Sequence, residues 1–329
     1  MNPILTHPCL RIHPVVAVLL LASGCSFDAA AGKDRPAATS SSAAAASAPS
    51  AGSPASAGSP ATGAGAEDSG PRKADPGRLV VDGKLAQGSL VIARITGKVA
   101  RINFPGHRAV VNDDGSLPIA FYLHAPKTET MDIHFADGSV LEHVFAVEAR
   151  TFKTEEIDNL PESSVTLDPK AQAAHNATEA RIEAVRMRSS AKVCYEEGFT
   201  WPVVGKITSP YGDPRRLCGV DAGIHMGVDI GVPVGTPVRA PACGTVVFVE
   251  AGDPINGTTL VLDHGRGVTS TYLHLADIKT KVGDEVKRGD MLATSGKTGR
   301  STGPHLHWGI NYFEVRLDPE LLASPMPAK

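Results

Sequence analysis

The sequence predicts an all-β protein with one connecting helix, on three observations. Residues 77–166 are short apolar runs separated by Asp-Gly pairs, residues 195–329 are strand-like runs broken by Gly and Pro turns, and only residues 167–194 between them are rich in Ala, Glu and Arg. Asp-Gly pairs between β-rich runs mark hairpins, because such turns need positive φ. Formal net charge is -3, from 32 Lys+Arg against 35 Asp+Glu. With no basic block, a nucleic-acid partner is not expected.

Residues 1–24 read as an export signal, whose apolar run Val15 to Ala22 is far short of the roughly 20 residues of a membrane-spanning helix. Leu21-Ala22-Ser23-Gly24-Cys25 is similar to the lipobox of bacterial lipoproteins, so Cys25 becomes the lipidated N-terminus that tethers the chain to a membrane. The alternative is an ordinary signal peptide cut near Gly24. Ser26 after the Cys fits sorting to the outer membrane, facing the periplasm of a Gram-negative cell. Residues 25–76, dominated by Ala, Ser, Pro and Gly, hold too little large apolar surface to offset chain entropy and read as a disordered tether. Such a tether reaches on the order of 40 Å.

The runs of 77–166 form a small antiparallel sandwich, with turns at Asp82-Gly83, Asp114-Gly115 and Asp137-Gly138. His107, His124, His134 and His143 lie in it without a carboxylate or Cys at ligand spacing, and read as structural or surface groups. In the helix of 167–194, Asp168-Pro169 supplies an N-cap and a proline at the first helical position; Ile182 and Val185 give only a narrow apolar stripe, which suits a connector. Among the cysteines, Cys9 leaves with the signal and Cys25 is acylated. Of Cys194, Cys218 and Cys243 at most one pair can form, and Cys218–Cys243, flanking the His225 region, is the favoured one. No CxxC spacing supports a cysteine zinc site.

The chemistry concentrates near the C-terminus. In Gly303-Pro304-His305-Leu306-His307-Trp308 an extended backbone puts His305 and His307 on one face and Leu306 on the other. His225-Met226-Gly227-Val228-Asp229 adds a His with a carboxylate four residues on, and His274 lies in another strand-like run. A catalytic zinc takes three protein ligands and an open position, and His225, Asp229 and His307 would fill them. No HExxH is present, so the proton must be handled by other groups.

Through Trp201-Pro202-Val203, Ser209-Pro210-Tyr211-Gly212, His225 to Ile230, Asp263-His264-Gly265, His274-Leu275 and Thr298 to His307, residues 199 to about 320 resemble the lysostaphin/LytM-type zinc metallopeptidases, which cut peptide bonds in peptidoglycan. The resemblance implies a C-terminal antiparallel catalytic domain of the duplicated hybrid motif type over 195–329. It also implies one Zn²⁺ on His225, Asp229 and His307, with His274 and His305 as the catalytic pair in either order. His264 then serves its turn, the three ligand places being filled. Peptidoglycan is the expected partner, with cell-division or wall-remodelling proteins beside it. In a Gram-negative wall the expected bond joins D-Ala to meso-diaminopimelate. The alternative is a non-enzymatic activator of cell-wall amidases, the role of relatives that keep the fold but have lost ligands; here all five residues are present.

Overall fold

A computed structural model describes residues 72–158, 160 and 165–328. The export signal, Cys25 and all of the expected tether before residue 72 lie outside the described residues.

The N-terminal strands make two three-stranded antiparallel sheets. β1 (Leu79–Asp82), β2 (Leu90–Ile95), β3 (Val99–Asn103), β4 (Ser116–Ala120), β5 (Thr128–Phe135) and β6 (Val140–Ala146) pair in the orders β1-β2-β4 and β3-β5-β6. Gly138 closes the β5–β6 hairpin at φ 81°. Alternate residues of β5, Met131, Ile133 and Phe135, are buried and pack with Leu117, Ile119, Phe121 and Phe145 between the sheets. Strand β4 departs from alternation, with all five residues buried. Its second face has a different neighbour: Ala120, with Leu90 and Leu123, belongs to the core of the C-terminal strands. Polar contacts close the same seam, where Arg150 Nη2 donates to the fully buried Asp318 at 2.6 Å and Asp318 N to Gly88 O at 2.7 Å.

Next come β7 (Glu155–Ile157) and the helix α1 (Pro169–Arg186). The helix starts at the predicted cap, where Asp168 Oδ1 accepts from Ala171 N at 2.8 Å, and ends short of the expected residue 194. Ile182 and Val185 rest on Phe248 and Val261, so the narrow stripe covers one face of a sheet.

That sheet is built from β8 (Lys206–Ser209), β11 (Val228–Gly231), β12 (Pro237–Arg239), β13 (Gly244–Asp253), β14 (Gly257–Gly265), β15 (Val268–Ile278), β16 (Glu285–Val286), β17 (Met291–Ser295), β18 (His305–Tyr312) and β19 (Val315–Leu317). Its main path runs β16-β13-β14-β15-β18-β11-β8, with β12 paired to β17, β17 to β15 and β19 to β18. All its registers are antiparallel. Leu306, Trp308 and Ile310 of β18 are wholly buried. The hairpin β9 (Pro214–Leu217) and β10 (Val220–Ile224) stands beside it and takes β7 as a parallel neighbour. The fold is thus nearly all β, as the sequence predicts.

The expected Cys218–Cys243 pairing is corrected: Cys243 is bonded to Cys194, with Cα atoms 5.2 Å apart. After the helix the chain runs along the β14–β15 turn, where Cys194 N donates to His264 O at 2.9 Å and Arg266 N to Ser190 O at 3.0 Å. This brings Cys194 to the start of β13. Cys218 instead occupies the β9–β10 turn, at φ 50° with Gly219 at 80°.

Candidate metal centre

Strand pairing brings the first two residues together. In the β11–β18 register Asp229 lies opposite His307 and Gly231 opposite His305, and directly opposed residues share a face. His307 Nδ1 lies 2.9 Å from Asp229 Oδ1. His225, in the turn between β10 and β11, comes back over the same carboxylate: its Nε2 is 3.1 Å from Asp229 Oδ1 and 2.9 Å from His307 Nδ1. The turn needs Gly227, since a Cβ there would sit 2.7 Å from both His307 Nε2 and Trp308 O.

Hydrogen bonds on the far sides of the rings set the tautomers. His225 Nδ1 lies 2.8 Å from the carbonyl of Pro210, which can only accept, so Nδ1 carries a proton and Nε2 is the nitrogen turned to the centre. Burial pushes His307 down to about 4 despite its bond to Asp229, so at neutral pH that ring is uncharged. Burial also pushes the Asp229 carboxyl up, but electrostatic attraction and hydrogen bonds from the His225 and His307 rings prevail and hold it well below the usual carboxylate range. Arg215 fixes the carboxylate from behind, with Nη2 2.5 Å from Asp229 Oδ2, and is itself held by Glu155 Oε2 at 2.9 Å and Ser209 Oγ at 2.8 Å. Oδ1 is therefore the oxygen turned inward. Two imidazole nitrogens and a carboxylate oxygen converge with at most one proton to share. That donor set fits a divalent cation.

His274 and His305 stand beside this trio, their ring centroids 4.7 Å apart. His274 Nδ1 is bonded to Thr298 O at 2.8 Å and His305 Nδ1 to Gly303 O at 2.9 Å, so each ring keeps Nε2 for the site. His305 Nε2 is 3.7 Å from Asp229 Oδ1. Burial first, then the charges of His305 and His307, push His274 down to about 3. His274 takes a left-handed φ of 60°, rare for a side-chain-bearing residue and a mark of local constraint. It is held by a bond from its N to Asn256 O at 2.9 Å, while Asn256 Nδ2 donates to Glu179 Oε1 on the helix at 2.6 Å. The connecting helix thus buttresses the site.

All five sequence-predicted site residues meet here. The sequence reading did not single out Arg215, Glu155, Asn256 or Glu179, because each acts through contacts 14 to 77 positions away and none belongs to a local pattern. His264 stays out of the centre: it is fully buried and ties neighbouring strands, with Nδ1 2.6 Å from Cys243 O and Nε2 2.7 Å from Ser270 Oγ.

Comparison with known proteins agrees with this geometry. Residues 223–319 match peptidase family M23. An uncharacterized metalloprotease of Haemophilus influenzae is 46% identical over 88 residues, 26% of this chain and 18% of the relative. Peptidoglycan DD-endopeptidase ShyA of Vibrio cholerae is 44% identical over 65 residues, 20% of this chain and 15% of the relative. The chain thus spans less than a fifth of the length of these relatives. The crystal structure of a candidate peptidase M23 from Pseudomonas aeruginosa superposes with a TM-score of 0.56 at 27% identity, covering 73% of this chain and 95% of that one. The C-terminal strands, which carry the His-Asp-His centre, therefore form a metallopeptidase domain of family M23, of the LytM type.

Proposed function

We propose that the chain is a zinc-dependent endopeptidase that hydrolyses peptide bonds in peptidoglycan stem peptides or cross-links, with D-Ala to meso-diaminopimelate as the bond cut in a Gram-negative wall. The observation that carries this reading is the convergence of His225 Nε2, Asp229 Oδ1 and His307 Nδ1 beside two further rings that keep Nε2 free. The 44% identity to a peptidoglycan DD-endopeptidase supports the substrate class. Export, acylation at Cys25 and placement on the outer membrane, facing the periplasm, belong to the same proposal and rest on the lipobox-like sequence.

Zinc held by His225, Asp229 and His307 would supply a Lewis acid that polarises the scissile carbonyl. The chain's own groups handle the protons. Because Thr298 O and Gly303 O occupy the Nδ1 atoms, His274 and His305 work through Nε2 alone. One ring takes a proton from the attacking water at Nε2 and returns it from there to the leaving nitrogen; the other, when protonated at Nε2, donates to the developing oxyanion. Arg215 keeps Asp229 Oδ1 turned inward throughout.

The test is metal content together with digestion of cross-linked muropeptides. The expected result is about one zinc per chain and conversion of dimers to monomers. Zinc-loaded protein that leaves the muropeptide profile unchanged but stimulates an added amidase would establish the activator role instead.

A further inference from the structure

An open cavity of about 130 Å³ adjoins the metal centre, and its lining includes Glu179, Arg186, Thr271, His307, Asn311 and Arg316. It shares His307 with that centre and extends along β18. Arg186, the last residue of the helix, is 5% exposed. Its Nη2 donates to Thr271 Oγ1 at 3.0 Å, while its Nε and Nη1 have no partner; nor does Nδ2 of Asn311, which is 1% exposed. Thr271 lies opposite Gly309, two residues along β18 from His307, which places the guanidinium about 7 Å along the strand from a metal ligand.

A buried guanidinium with unpartnered N–H groups is costly, because desolvation is not repaid by bonds, and a negative charge in the adjoining cavity would offset part of that cost. Nε and Nη1 lie on different edges of the guanidinium, so Arg186 meets a carboxylate as a positive charge and not as a two-pronged fork. Arg316 adds a second positive charge to the same cavity and Asn311 a further donor. Glu179 lines it with a negative charge but is engaged by Asn256; its presence favours a singly charged carboxylate over a dianion such as phosphate. We infer that this cavity is a subsite for a carboxylate of the peptide substrate, drawn in by the charges of Arg316 and Arg186, one or two residues from the bond to be cut. The inference deepens the peptidase reading and rests on it for the identity of the peptide.

The experiment compares a stem tetrapeptide bearing free carboxylates with the same peptide as its carboxamides. Binding to the full chain is measured by calorimetry, and cleavage of cross-linked dimers in the same two forms is followed in parallel. Wild type is expected to bind the free acid roughly 10 to 100-fold more tightly, the scale of a charge-assisted hydrogen bond. Arg186→Gln should bring that ratio close to one with little change in affinity for the carboxamide. Arg316→Gln, at a partly exposed position that tolerates substitution better, should lower the ratio by a smaller factor. An acid-to-amide ratio near one in wild type, or a ratio unchanged in Arg316→Gln and in any folded Arg186→Gln, overturns the subsite. Failure of wild type to cleave either dimer overturns the peptidase reading alone, since the binding ratios still decide the subsite.

Discussion

The N-terminal core of this chain holds four histidines and the C-terminal core five, and they use them in opposite ways. In the N-terminal sandwich the rings are dispersed. His107 is stacked on Phe104 with centroids 3.9 Å apart and is hydrogen-bonded to Glu129, His134 lies 3.0 Å from Arg101, His143 packs against Phe145 and His124 is exposed. Of the described histidines outside that sandwich, His225, His274, His305 and His307 meet around one carboxylate, while His264 and His175 are bonded elsewhere. Histidine number does not make a metal centre. What does is a strand register that opposes Asp229 to His307 and a turn, permitted by Gly227, that brings His225 onto the same oxygen.

The largest test of that contrast is His307→Ala, which should abolish zinc binding and hydrolysis together, read by metal analysis and muropeptide digestion. His274→Ala should retain zinc but lose about 10² to 10⁴-fold in turnover, the usual contribution of a general acid or base; the opposite pattern would reverse the roles given to the two rings. Arg215→Gln leaves the ligands in place but frees Asp229 Oδ2, and zinc titration should show affinity weakened roughly 10 to 100-fold. Stability should follow pH through His264, which burial pushes down to about 4. The unfolded chain takes up the proton near pH 6.5 and the folded chain only near 4. Stability from this group is therefore full above pH 6.5 and drains away as pH falls through that window, so the melting temperature of metal-free protein should fall more steeply there than that of His264→Gln. The smallest effect on activity belongs to His107→Ala. It should cost about 1 to 3 kcal/mol of stability by stranding Glu129 and leave zinc content unchanged; any loss of zinc would break the division between the two cores.

Much of the site was legible because its parts follow local rules. Strand alternation is enough to put His305 and His307 on one face with Leu306 in the core, and Asp168-Pro169 announces the start of the helix. The rest depends on pairings between distant segments. Nothing near Arg215 tells that it will meet Asp229, because the contact exists only once the β9–β10 hairpin stands beside β11. The disulfide escapes local rules for the same reason: nearness of Cys218 to His225 in sequence says little, whereas the path that carries residues 190–194 along the β14–β15 turn decides Cys194. Strand β4 hides its second buried face, since Ala120 looks like the solvent side of an alternating strand until the C-terminal core packs on it.

That second face of β4 bears on how the molecule melts. The residues that close the N-terminal sandwich on one side complete the C-terminal core on the other, and Arg150 is fastened to Asp318 across the same seam. Loosening either half exposes apolar surface belonging to the other, which couples their stabilities. Residues 72–328 should therefore give one calorimetric transition, and a substitution such as Ile133→Ala, remote from the zinc ligands, should lower the temperature at which zinc is released.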